Sequence, residues 1–192
     1  MMRRLIFATN NAHKLEEVRA IVGTQFELVT LREAGITEDI PEEEPTIEGN
    51  ALAKARYVWQ KTGCDCFADD TGLEVDALGG APGVHSARYA TDGHDFAANR
   101  EKLLRELEGQ EARSARFRTV VALIEGGAEQ CFEGIVEGEI TTQERGEGGF
   151  GYDCLFQPLG YEQTFAELAP EEKNAISHRG RAVAKLAGWL NQ

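Results

Sequence analysis

Long apolar runs are missing from this chain. The purest one, Val120 to Ile124, has five residues, whereas a bilayer-spanning helix needs about 20. The start, Met1-Met2-Arg3-Arg4-Leu5, is only superficially like a secretory leader, because its apolar stretch ends at Ala8 and polar Thr9-Asn10-Asn11 follows. No membrane partner and a cytoplasmic location are therefore expected. Positive charge is also scarce. Twenty Lys and Arg face 33 Asp and Glu, a net charge of −13, which argues against sequence-independent binding to a nucleic-acid backbone. A small phosphorylated ligand stays possible, since it needs only a local cluster of cations. The four cysteines, Cys64, Cys66, Cys131 and Cys154, do not have zinc-site spacing and fit reduced thiols. No G-x-x-x-x-G-K-[ST] phosphate loop occurs. Gly146 to Gly151 matches G-x-G-x-x-G by letters, but a strand is expected after it where a dinucleotide site requires a helix. Internal repeats, low-complexity tracts and linkers are absent too, so residues 1–192 are expected to form one domain of two lobes.

What is present reads as an α/β chain. Residues 4–8 form an apolar strand, and Leu15, Val18, Ile21 and Val22 recur at helical spacing before Gly23. Phe26 to Leu31 is a second strand, giving a βαβ opening. Residues 38–48 carry six acids in eleven positions and are broken by Pro41 and Pro45, so they form a loop. Thr46 caps a helix that runs to about Lys61 and ends at Gly63. Cys66-Phe67-Ala68 reads as a strand ending at an acidic turn, Asp69-Asp70, with Leu73 to Leu78 as a separate strand. A helix is expected over 95–108, a hairpin from Phe117–Ile124 through Gly126-Gly127 to Cys131–Ile140, a short strand over 152–156, and a final helix over 177–190.

Several segments carry chemistry. The loop Thr9-Asn10-Asn11-Ala12-His13-Lys14 precedes the first helix, whose amides and Lys14 suit a phosphate; the plainer reading makes Asn11 a cap and Lys14 a solvated charge. Asp69-Asp70 at a strand end suits a cation, because two adjacent buried carboxylates repel unless one is nearby; the plainer reading is a backbone turn. The acids 42–44 could add a metal carboxylate or simply be solvated. Phe150, Tyr152 and Asp153 with Lys173, His178 and Arg179 combine a stacking face, polar groups for a heterocycle, and cations.

Seven segments in order resemble the inosine triphosphate pyrophosphatase family: residues 8–14, 50–55, 68–73, 78–83, 86–89, 149–153 and 172–180. The resemblance implies an elongated α/β fold with a central mixed sheet flanked by helices, forming two lobes around an active-site cleft. It also implies Mg²⁺, a homodimer, and hydrolysis of ITP, dITP and XTP to the monophosphate and pyrophosphate, clearing them from the nucleotide pool. By position, Asp70 is the proton acceptor and a metal ligand. Thr9, Asn10, Asn11, Ala12, His13, Lys14, Lys54, Thr71, Phe150, Gly151, Tyr152, Asp153, Lys173, His178 and Arg179 meet the substrate. The chain departs from the family at two points. Pro41-Glu42-Glu43-Glu44 replaces a Glu-Glu-Thr-Gly loop, so the second metal carboxylate falls to Glu42, with Glu43 and Glu44 open. Gly49 replaces a common acid, an exchange expected to loosen the first turn of its helix.

Attack of water on the α-phosphate is opposed by negative charge, so charge neutralisation should dominate catalysis. Mg²⁺, Lys14, Lys54 and Lys173 are expected to supply it, with Asp70, or Asp69 beside it, as the base. His178 or Arg179 would donate to the 6-oxo group of hypoxanthine or xanthine and meet another donor in adenine.

Overall fold

In a computed structural model, which describes residues 2–192, the chain opens with strand β1 (Arg4–Phe7), helix α1 (Ala12–Val22) and strand β2 (Glu27–Val29). β1 pairs in parallel with β2 and with β3 (Cys66–Val75). The remaining strands are β4 (Pro82–Gly83), β5 (Ser114–Glu125), β6 (Ala128–Ile140) and β7 (Phe156–Pro158). β3–β4 and β6–β7 are antiparallel, so the seven-stranded sheet is mixed, in the order β2-β1-β3-β5-β6-β7 with β4 beside β3. The other helices are α2 (Ile47–Thr62), α3 (Phe96–Glu106), α4 (Pro170–Ile176) and α5 (His178–Leu190). A mixed sheet flanked by helices is the expected α/β class.

The chain divides into two compact units. Unit 1 holds residues 1–70, 119–134 and 179–192; unit 2 holds 71–118 and 135–178. Each has its own core. In unit 1, Leu5, Phe7, Phe67, Val121 and Leu123 from strands meet Val18 from α1 and Val183 and Leu186 from α5. Phe7 and Phe67 stack at 4.5 Å across the β1–β3 pair. In unit 2, Leu73, Val75, Phe117, Val136 and Phe156 pack with Leu103 of α3 and with Phe165 and Leu168.

Local signals explain the helix ends. Asn11 Oδ1 accepts from Lys14 N, Thr46 Oγ1 from Gly49 N, and Asp95 Oδ1 from Ala98 N, each satisfying an amide that the helix leaves unpaired. Gly63 closes α2 in the left-handed conformation at φ 66°.

Three expectations are corrected. Asp69-Asp70 is not a turn, because β3 runs unbroken from Cys66 to Val75 and continues only into a single 3-10 turn, Asp76–Leu78. Aspartate is a poor strand former, but here cations satisfy its charge, as described below. Residues 153–155 form a 3-10 turn ahead of β7 rather than a strand. α4 was not foreseen, although Pro170 in its first turn and Glu171 and Glu172 beside it are ordinary helix-start signals.

Candidate active site

Side chains alternate along a strand, so Asp69 and Asp70 project to opposite faces of β3. Their surroundings differ accordingly. Asp69 is 1% exposed, and both of its carboxylate oxygens are taken: Oδ1 accepts from Lys14 Nζ at 2.9 Å and Oδ2 from Arg179 Nε at 2.8 Å. Burial alone would raise its pKa, but Lys14, Arg179 and Lys54 outweigh it and hold the carboxyl well below the usual range. Arg179, also 1% exposed, donates from Nη1 to Glu17 Oε2 at 2.6 Å. Burial disfavours its charge, yet Asp69 and Glu17 hold the guanidinium protonated.

Asp70 is 6% exposed and is treated differently. Oδ1 lies 3.5 Å from Lys54 Nζ, whereas buried Oδ2 has no hydrogen-bond partner among the described residues. Burial pushes this carboxyl upward, Lys54 and Lys14 only partly offset that, and Glu42 and Asp69 add to the rise. Lys54 Nζ donates to Glu42 Oε1 at 3.0 Å and to the Asp69 carbonyl at 2.6 Å. Burial works against the Lys54 ammonium, but Asp70, Glu42 and Asp69 together raise its pKa.

Unit 1 thus gathers Lys14, Glu17, Glu42, Lys54, Asp69, Asp70 and Arg179. Four acids and three cations meet in this network, which holds the buried Asp70 oxygen that has no hydrogen-bond partner among the described residues. No group of three or more His, Cys, Asp or Glu among the described residues could cage a metal ion. The residues present fit Mg²⁺ in its usual form, bound by one or two carboxylates and completed by water and substrate phosphates. Asp70, and Glu42 beside it on Lys54, are the carboxylates that would hold it.

The loop before α1 serves both of its readings. Asn11 caps the helix, and Thr9 Oγ1 accepts from Asn11 N at 3.1 Å. Ala12 and His13 open the helix, and Asn10 reaches Asp39 at 3.4 Å. Lys14, however, is not a solvated charge: its side chain is 14% exposed and bound to Asp69.

The remaining predicted residues lie in unit 2, apart from Arg179. Thr71 follows Asp70 in β3 and is half-buried. Asp153 organises the Gly149-to-Tyr152 loop: its Oδ2 accepts from Phe150 N at 3.0 Å and from Lys173 Nζ at 2.5 Å. A Cβ on Gly149 would lie 2.2 Å from that same oxygen, at φ 67°, so this position requires glycine. Gly151 is also left-handed, at φ 62°. Lys173 Nζ lies 5.3 Å from the Phe150 ring centre, within cation–π range. Tyr152 donates to the Ser86 carbonyl at 2.6 Å. His178 lies nearly flat on Phe117, with ring centres 4.5 Å apart.

Three contributors were given no role from the sequence, although two of them fall in the segments 50–55 and 86–89: Glu17, which holds Arg179; Ser86, which receives Tyr152; and Asn50, whose Oδ1 accepts from Glu44 N at 2.9 Å. Glu17 had a usable signal, since it stands three residues after Lys14 and shares its helix face. Ser86 stood in a singled-out segment, but its partner, 66 residues away, was not legible.

The model of the Ham1 family matches residues 5–189. The chain is 54% identical over 190 residues to a dITP/XTP pyrophosphatase of Porphyromonas gingivalis, covering 98% of each. It is 50% identical over 187 residues to one of Flavobacterium johnsoniae, covering 97% of each. A solved Ham1 protein from Coxiella burnetii superposes with a TM-score of 0.90 at 39% identity over 99% of both chains. The solved nucleoside-triphosphatase, or dITP/XTP pyrophosphatase, of Mycobacterium abscessus gives 0.77 at 44% identity over 95% of this chain and 98% of that one.

Proposed function

Since the chain belongs to the Ham1 family, we propose that it hydrolyses purine nucleoside triphosphates bearing hypoxanthine or xanthine, such as ITP, dITP and XTP. The products are the monophosphate and pyrophosphate. The observation that carries the chemistry is the contrast on β3: Asp69 has both oxygens bound by cations, and Asp70 has a buried oxygen to spare.

Asp70 is the general base in this reading. A carboxyl raised by burial is a stronger proton acceptor than one in water, and Asp70 is raised. It takes the proton of a water whose oxygen forms a bond to the α-phosphorus. The bond from that phosphorus to the α–β bridging oxygen breaks, and pyrophosphate departs with the electron pair. Lys14 has three ammonium hydrogens and spends one on Asp69, so others can meet phosphate oxygens. Lys54 works mainly on the protein: with Glu42, the Asp69 carbonyl and Asp70 around Nζ, it holds the two reacting carboxylates in place. Asp70 and Glu42 would hold Mg²⁺, which when bound neutralises phosphate charge and helps the leaving group depart.

Phe150, with Lys173 and Asp153 behind it, offers a ring face for the purine. His178 is the donor in this reading for the 6-oxo group, which adenine would oppose with its own amino group, whereas Arg179 is taken up by Asp69 and Glu17. The homodimer belongs to the same reading. As for location, no helix of the described residues is long and apolar enough to cross a membrane.

The deciding experiment incubates the purified chain with Mg²⁺ and ITP, dITP, XTP, GTP or ATP, and identifies the products. Monophosphate and pyrophosphate from the first three, with ATP turned over far more slowly, is the expected result. Release of orthophosphate, or equal efficiency with ATP and ITP, would overturn the proposal. Omitting Mg²⁺ tests the metal, and sedimentation tests the dimer.

A further inference from the structure

Two features of the sequence, the Pro-flanked acids and Gly49, meet in the structure. The acidic segment Glu42-Glu43-Glu44 lies between Pro41 and Pro45, immediately ahead of α2. Its backbone is fastened to that helix, since Glu44 N donates to Asn50 Oδ1 at 2.9 Å and Asn50 is only 2% exposed. Two residues earlier, Glu42 Oε1 accepts from Lys54 Nζ at 3.0 Å. Asn50 and Lys54 are four residues apart, one above the other on the same face of α2. One residue secures the loop, and the other receives its carboxylate.

Gly49 lets the loop come this close. A Cβ there would stand 2.9 Å from Thr46 Oγ1 and 3.0 and 3.4 Å from Glu44 Cβ and Cγ. The first of these is the capping oxygen of α2, already held by Gly49 N. Neither neighbour is the loose end of a long side chain, so any side chain at 49 displaces the cap or lifts Glu44. The first turn is not loosened by the glycine, as the sequence suggested: α2 is capped and regular from Ile47.

We propose that Gly49 and Asn50 are positioning residues for the reaction: together they hold the Pro-flanked acidic loop against α2 so that Glu42 is delivered to Lys54 beside Asp70. The proposal rests on the reading of Glu42, Lys54 and Asp70 as the reacting centre. It also ties the acidic loop to Gly49, because a loop seated this low requires a residue without a side chain beneath it.

Gly49→Ala tests it cleanly, since helix propensity and positioning predict opposite results. Alanine is the better helix former, so a merely structural glycine would give a more stable protein with native turnover. Positioning predicts a folded variant whose kcat for XTP falls about tenfold or more, the scale of a small misplacement of reacting groups, with KM little changed. Amide exchange at Glu44 in the metal-free protein should speed up about five- to tenfold, as expected for loss of one hydrogen bond. Asn50→Ala should do the same without adding bulk. Glu44→Gly in the Gly49→Ala background removes the obstructed Glu44 atoms but leaves Thr46 Oγ1, the cap atom nearest the new Cβ, and should recover part of the kcat loss. Native kcat and unchanged exchange at residue 44 in Gly49→Ala would overturn the inference. If the unaltered chain hydrolyses none of these triphosphates, the functional reading fails instead, and the exchange measurement still decides the loop.

Discussion

Two neighbouring aspartates, Asp69 and Asp70, sit in opposite electrostatic settings. Asp69 is bound by Lys14 and Arg179, and its pKa is lowered; Asp70 keeps an unpartnered oxygen, and its pKa is raised. Substituting each should therefore act on stability with opposite sign. Asp69→Asn removes the carboxylate shared by Lys14 and Arg179, leaving buried Arg179 with Glu17, and should cost about 3–5 kcal/mol in urea unfolding. Asp70→Asn removes a carboxylate whose ionisation is penalised by burial, so the metal-free variant should melt at a higher temperature than the native protein. Turnover of XTP by Asp70→Asn should nevertheless fall by about 10²–10⁴-fold, the usual contribution of a general base. Calorimetry and steady-state kinetics on the same preparations check both halves. A destabilised Asp70→Asn that retains activity would reverse the assignment of roles.

At the scale of elements, the sequence made the helices and the hairpin legible because their signals are local. Asn11, Thr46, Gly63 and Gly126-Gly127 stand where caps and turns need them. The acidic pair misled for a physical reason. Asp-Asp-Thr-Gly has turn chemistry when read alone, and only Lys14, Lys54 and Arg179, distant in the chain, make it tolerable inside a strand. The same asymmetry applies to the candidate site. The motif residues could be named, but not that Asp69 is saturated, that Lys54 is surrounded by acceptors, or that Asn50 anchors the acidic loop, because each is a contact across at least six residues. The loop from Gly149 to Asp153 is a case where the pieces were visible and their arrangement was not. Asp153 acts there as a tie for Phe150 N and Lys173 Nζ. Asp153→Ala frees both at once. It should raise KM for XTP about tenfold or more while leaving kcat much less affected, as expected for weakened binding shared by ground and transition states. A fall confined to kcat would place Asp153 in the chemical step instead.

For the whole molecule, the pH dependence of stability follows from the carboxyls of lowered pKa. These are Asp69 in its buried network and, at the surface, Asp76, Glu129 and Glu144 beside Arg116, Arg56 and Arg100. An acid with a lowered folded pKa contributes stability above its unfolded value and loses it as pH falls through the folded one. Asp70 has the reverse sign: its cost is present at neutral pH and is relieved on acidification. Several groups oppose one, and the exposed pairs count for little, so Asp69 should dominate. Stability measured by urea should hold from pH 7 down to the ordinary carboxylate range and then decline steeply. In Asp69→Asn that acid limb should be shallower. An unchanged limb would remove Asp69 from this role.

The burial of Lys54 has a consequence for chemical labelling. Acylating and reductive-methylating reagents attack neutral amines, and they must reach them. The Lys54 ammonium is 4% exposed, held by acceptors and kept protonated by its acidic neighbours, and Lys173 is equally buried. Lys61, by contrast, has a side chain 46% exposed. A protein modified at its outer lysines should therefore keep its reaction centre unmarked, and surface immobilisation through amines should leave that centre intact.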